Sequence, residues 1–261
     1  MSRPVYRFAP SPNGDLHLGH AYSALLNQRM AQASNGRMLL RLEDTDQTRC
    51  KPEYAEGILR DLAWLGFRWE LPVRVQSEHF NDYDANLERL WTTDAIYPCF
   101  CSRKEAAVHA RSTVDPDGQA HYGGTCRSLS RDQVATRIAS GAIHGWRLNM
   151  QVFAGDDASV WGDAVIAKRY VGSSYHIAVV TDDALQGVTH VVRGRDMEAA
   201  TSIHILLQRL LSLPTPSYHH HDLIRDDVGR KLSKSLNSRG IAVLRDAGAT
   251  PEAIKKRLGF A

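Results

Sequence analysis

The chain has 261 residues, of which 43% are hydrophobic and 23% are charged, a balance typical of a folded protein of one large or two modest domains. Its 32 Lys and Arg residues against 29 Asp and Glu leave a formal charge of +3, which by itself does not indicate a nucleic-acid-binding protein. No apolar run approaches the roughly 18 residues of a membrane span, and the N-terminus lacks the layout of a signal peptide, so we expect a cytoplasmic protein without a membrane partner.

The first part of the chain predicts a βαβ unit. Residues 5–9 are extended and are followed by a turn rich in Pro, Asn and Gly at residues 10–15. A helix is expected to begin near Leu18 or Gly19 and to end near residues 34–36. The apolar residues 38–42 then form a buried-strand pattern. A strand, a helix and a second strand at this spacing indicate a parallel sheet.

The α/β pattern continues and is then interrupted. Two amphipathic helices are predicted between Pro52 and Trp91, and from about residue 170 the apolar residues 177–180 and 188–192 predict two more strands. A helix is expected at residues 198–211. We therefore predict an α/β core made of residues 1–97 and 166–261, interrupted by an inserted module at residues 98–165.

The inserted module contains a cysteine cluster. Cys99, Cys101 and Cys126 lie within a short stretch, which favours a metal site over disulfides. Cys50 lies outside the cluster and is expected to be an unliganded thiol. Structural zinc takes four ligands in a tetrahedron, and the nearby His109 or His121 is a candidate for the fourth. Elsewhere in the module, Ser130 to Gln133 form a capping-box pattern, and residues 146–152 alternate as in a half-buried strand.

Two separated motifs carry phosphate chemistry. His17-Leu18-Gly19-His20 lies at a predicted strand-to-helix junction, where a helix N-terminus attracts anions and Gly19 lets a ligand approach the backbone. The alternative is a capping turn with surface histidines. Far downstream, the segment Lys231-Leu232-Ser233-Lys234-Ser235 offers two cations that suit a transferring phosphate, although an isolated segment of this kind is also typical of a solvated basic loop.

Four motifs together resemble one family. Residues 7–20, which read Arg-Phe-Ala-Pro-Ser-Pro-Asn-Gly-Asp-Leu-His-Leu-Gly-His, resemble the first signature of class I aminoacyl-tRNA synthetases of the glutamyl branch. Residues 231–235 resemble the second signature, with Leu232 in place of the usual Met. Residues 41–46 and 191–196 also resemble that branch. This resemblance covers nearly the whole chain and implies a Rossmann-like parallel-sheet nucleotide-binding core with a small zinc-bearing insertion.

The resemblance also implies roles for individual residues. Two fork-shaped arginines suit the two carboxylates of a free glutamate, and an acid suits its ammonium group. Without the resemblance, Glu43 would be interpreted as a cap or surface acid and Tyr175 as a core tyrosine. The implied catalytic residues are His17, His20, Lys231 and Lys234, and the implied ATP-binding residues are His17, Gly19, His20 and Lys234. The implied glutamate-binding residues are Arg7, Phe8, Ala9, Pro10, Ser11, Glu43, Tyr175 and Arg193.

The implied reaction is the ATP-dependent activation of L-glutamate to glutamyl-adenylate. Mg²⁺ is expected to accompany ATP, and catalysis is expected to rest on positioning and on electrostatic stabilisation of the phosphates. The resemblance further implies one structural Zn²⁺ per chain, held by Cys99, Cys101, Tyr122 and Cys126, with His121 as the alternative to Tyr122.

The length of the C-terminal part points to a particular RNA substrate. Only 26 residues follow Ser235, whereas a full glutamyl-tRNA synthetase continues into an anticodon-reading region. The chain therefore resembles the glutamyl-Q tRNA(Asp) synthetase group, whose members attach glutamate to queuosine in the anticodon of tRNA(Asp). In that case its partners are L-glutamate, ATP and tRNA(Asp) carrying queuosine, and the zinc-bearing module faces RNA. The alternatives are a compact glutamyl-tRNA synthetase that charges a 3′ end, a catalytically silent zinc-bearing RNA-binding relative, and a small nucleotidyltransferase.

Overall fold

The computed structural model describes residues 3–224 and 240–260. In this part of the chain the strands are β1 (Val5–Phe8), β2 (Arg37–Leu42), β3 (Glu70–Val75), β4 (Ile96–Cys99), β5 (Gly145–Leu148), β6 (Val165–Ala167), β7 (His190–Gly194) and β8 (Ser217–His221). The α-helices are α1 (Leu18–Ala33), α2 (Pro52–Trp64), α3 (Phe80–Thr92), α4 (Arg103–Val108), α5 (Arg131–Ala139), α6 (Tyr175–Leu185), α7 (Thr201–Leu210), α8 (Ile241–Asp246) and α9 (Pro251–Arg257). Among the helices of these described ranges, none has the length and apolar character needed to cross a bilayer.

The chain divides into two compact units. The first unit consists of Met1–Glu78, Leu185–Glu198 and Pro216–Ala261. The second unit consists of His79–Ala184 and Ala199–Thr215. The module predicted at residues 98–165 lies inside the second unit, which extends further along the chain on both sides.

The first unit is built on a five-stranded parallel sheet with the strand order β3-β2-β1-β7-β8. The chain moves outward from β1 through β2 to β3 and then returns to add β7 and β8 on the other side of β1. This is the doubly wound order of Rossmann-like folds, so the prediction of an α/β parallel-sheet core is confirmed. In such sheets ligands bind beyond the carboxyl ends of the strands, at the point where the order reverses.

The central strands of this sheet carry buried side chains on both faces. Tyr6 and Phe8 of β1 belong to the main core with α1 and α2, whereas Val5 packs on the opposite face with Leu39 and Val191. Successive residues of a strand point to opposite faces, and a sheet covered on both sides needs apolar residues at nearly every position. This explains why β1 and β2 appear in the sequence as largely apolar runs, in which the buried charged residues are Arg7 and Arg41.

Helices of the first unit begin and end at residues whose backbone suits those positions. Pro52 occupies the first turn of α2, where its missing N–H removes no helical hydrogen bond. Gly66 follows the helix with a φ of +75°, a left-handed conformation that glycine adopts without strain. Near the C-terminus, Pro251 likewise occupies the first turn of α9.

The second unit contains a three-stranded antiparallel sheet in the order β4-β5-β6. The predicted capping box opens α5: the Ser130 hydroxyl accepts from the Gln133 N–H at 3.2 Å, and the Gln133 side chain accepts from the Ser130 N–H at 2.9 Å. The strand predicted at residues 146–152 ends earlier, at Leu148. It ends there because the Val152 N–H donates to the Asn149 carbonyl at 3.1 Å, which turns the chain.

One sequence prediction is wrong. The apolar residues 177–180, expected to form a strand, lie within helix α6. All four side chains are buried, being at most 2% exposed. A short run that is apolar on every side shows neither a two-residue nor a 3.6-residue period, so its pattern does not distinguish a buried strand from a buried helix.

Candidate active site and metal cluster

The junction between β1 and α1 brings two histidines together in the first unit. His17 is the N-cap of α1, and its Nδ1 accepts from the Gly19 N–H at 3.1 Å. The His20 Nδ1 accepts from the His17 N–H at 3.2 Å, and the two rings stack with their centroids 3.7 Å apart. A neutral imidazole has one N–H, so rings that accept at Nδ1 carry their proton on Nε2. Each ring is therefore oriented to donate a hydrogen bond from Nε2.

Gly19 makes this arrangement possible. A Cβ at this position would lie 3.0 Å from Cε1 and 3.1 Å from Nδ1 of His17. Any side chain would press against the capping ring at the start of the helix. The capping turn that the sequence presents as one alternative therefore forms, and the anion-binding role of this junction stays a prediction.

The loops that follow β1 and β2 lie side by side. The Glu43 N–H donates to the Pro10 carbonyl at 3.0 Å, and the Lys51 N–H donates to the Pro12 carbonyl, also at 3.0 Å. These bonds hold residues 9–12 beside the acidic segment that begins at Glu43. Phe8, which precedes this loop, points its ring into the core against Phe67, so a ligand at this edge would meet its main chain.

A buried arginine holds the Glu43 carboxylate. Arg41 is 0% exposed, and its Nη2 donates to Glu43 Oε1 at 3.2 Å while its Nη1 donates to Gln186 Oε1 at 3.0 Å. Sequence reasoning assigned Arg41 no role. The sequence nevertheless carries a signal for such a role, since Arg41 is a charged residue within the largely apolar strand β2. An arginine is seldom fully buried unless it is paired, so this position indicates a buried ion pair.

Replacement of Arg41 by methionine is expected to lower the free energy of unfolding by about 3–5 kcal/mol, because it removes the buried guanidinium that donates to Glu43 Oε1 and to Gln186 Oε1. The matched control is Arg37→Met on the same strand. Arg37 pairs with Glu70 at 2.7 Å, but both side chains are more than 40% exposed, so its loss should cost about 1 kcal/mol or less. Urea denaturation of both variants measures the difference, and equal losses would contradict the structural role of Arg41.

Three arginines share one face of the parallel sheet. Tyr6 of β1 is in register with His190 of β7, so Arg7 and Arg193 lie on the same face of neighbouring strands. Arg41 alternates with Leu39 on β2 and joins them on the face that carries Val5. Arg7 and Arg193 are buried. The sheet thus gathers three cationic groups on one face of β2, β1 and β7.

Strand β8 supports Arg193. Its guanidinium lies 5.3 Å from the ring centroid of Tyr218, and its Nε donates to His220 Nε2 at 3.4 Å. Burial, together with the charge of Arg193, lowers the pKa of His220 and favours the neutral ring that accepts this bond. His220 thus helps to hold the Arg193 side chain in place.

The structure does not test the roles of the remaining predicted residues, Tyr175, Lys231 and Lys234. Tyr175 is the first residue of α6 in the second unit, and the centroid of its ring lies 5.4 Å from the ring centroid of His204. Lys231 and Lys234 lie outside the described residues. The chain is described again from Gly240, which forms a β-bridge with His17, and the Ile241 N–H donates to the Leu16 carbonyl at 2.7 Å. The roles of Tyr175 and of the two lysines stay predictions.

The predicted cysteine cluster forms in the second unit. The sulfur atoms of Cys99, Cys101 and Cys126 lie within 4.8 Å of one another, and those of Cys101 and Cys126 are 3.5 Å apart. Tetrahedral zinc with bonds of about 2.3 Å needs sulfur atoms separated by about 3.8 Å. The Tyr122 hydroxyl lies 3.2 Å from the Cys101 sulfur and accepts from the Cys126 N–H at 3.0 Å. The donor set fits a zinc ion.

The geometry favours Tyr122 over His121 as the fourth donor. Both ring nitrogens of His121 are engaged elsewhere, each at 3.0 Å: Nδ1 with the Thr113 hydroxyl and Nε2 with the Val160 carbonyl. Hydrogen bonding from Cys99 lowers the pKa of Cys126 to about 4, whereas the pKa of Cys99 is raised by its hydrogen bond to Cys126 and by burial. Burial also raises the pKa of Tyr122. A bound divalent cation would favour deprotonation of the Cys99 thiol and of the Tyr122 hydroxyl.

Comparison with protein families gives one match that covers nearly the whole chain. Residues 5–260 match the family described as "tRNA synthetases class I (E and Q), catalytic domain". A Rhodobacter capsulatus protein named glutamyl-Q tRNA(Asp) synthetase is 44% identical, over 98% of this chain and 100% of its own length. A Nitrosococcus oceani protein named glutamate–tRNA ligase 2 is 39% identical over 95% of this chain, which spans only 57% of that relative.

Solved structures show the same fold. The crystal structure of a glutamate tRNA ligase from Elizabethkingia meningosepticum, in complex with its amino acid, superposes with a TM-score of 0.82 at 26% identity. The match covers 98% of this chain and 60% of the ligase chain.

Proposed function

The chain belongs to the class I tRNA synthetase family that comprises the glutamate and glutamine enzymes, a family of ATP-dependent ligases, and from this premise we propose that it activates L-glutamate and transfers it to queuosine in tRNA(Asp). The observation that carries the proposed glutamate activation is the group of three arginines on one face of the parallel sheet, of which Arg41 pairs with Glu43 at 3.2 Å. The transfer to queuosine in tRNA(Asp) is supported by the Rhodobacter capsulatus relative, which matches along its whole length and is named glutamyl-Q tRNA(Asp) synthetase.

Glutamate suits the charges of this edge. Its two carboxylates need two cationic forks, and Arg7 and Arg193 lie on the same face of adjacent strands. Its ammonium group needs an acid, and Arg41 holds Glu43 in place for that role. We propose that the main chain of residues 8–11 lines the same pocket, with the Ser11 hydroxyl as a further donor, and that Tyr175 adds its hydroxyl.

ATP suits the neighbouring β1–α1 junction. We propose that the Nε2–H groups of His17 and His20 donate to phosphate oxygens, that Gly19 allows the nucleotide to approach the helix N-terminus, and that Lys231 and Lys234 add positive charge. A carboxylate oxygen of glutamate attacks the α-phosphorus of ATP, the bond to the β-phosphate breaks, and pyrophosphate leaves. Mg²⁺ bound to ATP would neutralise part of the phosphate charge. A hydroxyl of the RNA then attacks the glutamyl carbonyl, and AMP leaves.

The transfer step can be located on the RNA. Radiolabelled glutamate, ATP and the protein are incubated with tRNA(Asp) that carries queuosine, and the RNA is then cut with a nuclease. We expect the label in the anticodon fragment and expect no label on tRNA(Asp) that lacks queuosine. Label at the 3′ end would instead support a compact glutamyl-tRNA synthetase, and the absence of glutamate-dependent ATP–pyrophosphate exchange, both with and without tRNA, would contradict the proposed glutamate activation. Because its substrates are ATP and tRNA, we place the reaction in the cytoplasm.

We further propose that Cys99, Cys101, Tyr122 and Cys126 hold one structural Zn²⁺. Such a site would stabilise the loops that join β4, α4 and α5, a region with few buried apolar side chains: α4 has none and α5 has one among the described residues. The predicted module at residues 98–165 would then be a zinc-stabilised, RNA-facing part of the second unit.

Replacement of Tyr122 by phenylalanine is expected to speed the loss of zinc to a chelator about tenfold or more, because it removes the phenolate ligand and leaves three thiolates. The control is His121→Ala, which should keep the rate of the unaltered protein. The zinc content per chain and the rate of release are measured by elemental analysis and with a chromogenic chelator. Fast release from the His121 variant, with retention by the Tyr122 variant, would assign the fourth position to the histidine.

A further inference from the structure

A row of aromatic rings lies along the second unit, and neither the proposed catalytic residues nor the zinc ligands include it. Four partly exposed rings follow one another, with centroid separations of 5.3, 5.2 and 5.4 Å along the row. We call this row the aromatic strip; in order, it consists of Trp91, Trp146, His144 and Phe100.

Helix α5 places a guanidinium at each end of the strip. The Arg131 guanidinium lies 5.6 Å from the ring centroid of Trp91, and that of Arg137 lies 5.3 Å from Phe100. Val134 is the sole buried residue among the nine of this described helix, and the Arg131 side chain is 68% exposed. Arg131 pairs with Asp94 at 2.6 Å, but the Asp94 side chain is also 64% exposed, so a phosphate can replace this surface partner, and Arg137 is exposed as well.

A cavity adjoins the Trp91 end of the strip. Its volume is about 320 Å³, and it is lined in part by Trp91, Arg131, Leu129 and Asn149. A cavity of this size lies at the lower end of the range for small-ligand sites and has room for a planar heterocycle. The strip therefore combines ring surfaces, cations and an adjacent recess.

These features match the chemistry of unpaired RNA. Single-stranded nucleic acids bind where bases stack on aromatic side chains and phosphates meet arginines, whereas an RNA duplex exposes no free base faces. Residues 103–147 carry seven Lys and Arg against four Asp and Glu, which suits a polyanion. We propose that the aromatic strip binds an unpaired loop of the tRNA, with bases against the rings and phosphates at Arg131 and Arg137. The inference rests on the proposed function and specifies where the RNA contacts the protein.

His144 provides the test of stacking. The His144→Leu variant should bind the isolated anticodon stem–loop of tRNA(Asp) roughly 5- to 150-fold more weakly, as is usual when one stacking ring is lost. His144→Phe keeps an aromatic ring but, like the leucine variant, lacks the imidazole hydrogen bond to the Ala142 carbonyl. It should therefore bind like the unaltered protein. A blunt RNA duplex of equal length should show no difference among the three proteins. Equal binding of the stem–loop by the leucine and phenylalanine variants would overturn the proposal.

The arginines are tested through the salt dependence of binding. The double variant R131A/R137A should weaken stem–loop binding and lower the slope of log affinity against log salt by about 0.7 for each lost phosphate contact. The control is R103A/R111A, which removes two exposed arginines of the same unit and should keep the slope. Equal slopes for the two double variants would contradict a phosphate role for α5.

The experiments distinguish an error in the proposed RNA contact at the aromatic strip from an error in the proposed enzymatic activity. All these variants should retain glutamate-dependent ATP–pyrophosphate exchange at the level of the unaltered protein. Normal exchange with unaltered RNA binding would disprove the strip alone. Absence of exchange in the unaltered protein would disprove the proposed activity, while the binding comparisons would still decide whether the strip recognises RNA.

Discussion

Arg193→Ala is expected to lower kcat/KM for glutamate roughly 30- to 5,000-fold, which corresponds to about 2–5 kcal/mol for removing one partner of a buried, hydrogen-bonded charge pair. Arg193 is 7% exposed, lies on the same face as Arg7, and is held by Tyr218 and His220. Removing the guanidinium would leave one glutamate carboxylate desolvated and unpaired, so the loss should appear mainly in the KM for glutamate. The affinity for ATP should change little, because the proposed phosphate donors are His17 and His20.

The neighbouring Arg195 provides a matched control. It is 57% exposed and pairs with Asp222 at 2.8 Å, so Arg195→Ala removes the same charge two residues away without opening a buried site. Steady-state pyrophosphate exchange at varied glutamate and ATP concentrations separates the two substrates. A normal KM for glutamate in the Arg193 variant would refute the assigned role.

His17→Asn should reduce kcat for adenylate formation by roughly 100- to 1,000-fold, the usual cost of losing one donor to developing charge. This substitution is chosen because Asn is itself a favoured N-cap. It can replace the bond from the Gly19 N–H to His17 Nδ1, but it cannot supply the donor at Nε2. The helix start is thereby preserved while the phosphate contact is lost.

His17→Ala separates the two roles of the ring. It should lose activity to the same extent and should also lower the free energy of unfolding by about 1 kcal/mol, because the cap of α1 is gone. Denaturant unfolding and pyrophosphate exchange are measured on both variants. If the asparagine variant is stable and fully active, the imidazole serves only as a cap, and the ATP contact must come from other groups.

Local signals in the sequence predict the elements that surround the candidate site. The β1–α1–β2 pattern, Pro52 at the start of α2, and the capping box of α5 all appear where they were expected, because caps and strand alternation depend on residues only a few positions apart. The cysteine cluster is also evident from the sequence, since Cys99, Cys101 and Cys126 lie close together along the chain. The choice between His121 and Tyr122 was not evident, because it depends on Thr113 and Val160 engaging the imidazole.

The sequence by itself determined the α/β class, the β1–α1–β2 order at the start of the first unit, and the family. The residue roles that it implies for phosphate, carboxylate and metal chemistry stay predictions. Only the tertiary structure decided that residues 177–180 form a helix, since burial on all sides removes the periodicity that separates helix from strand. It also decided that Arg7, Arg41 and Arg193 share one face, because this depends on the pairing register of three strands far apart in the chain. The pairing of β7 with β8 places Arg193 against His220.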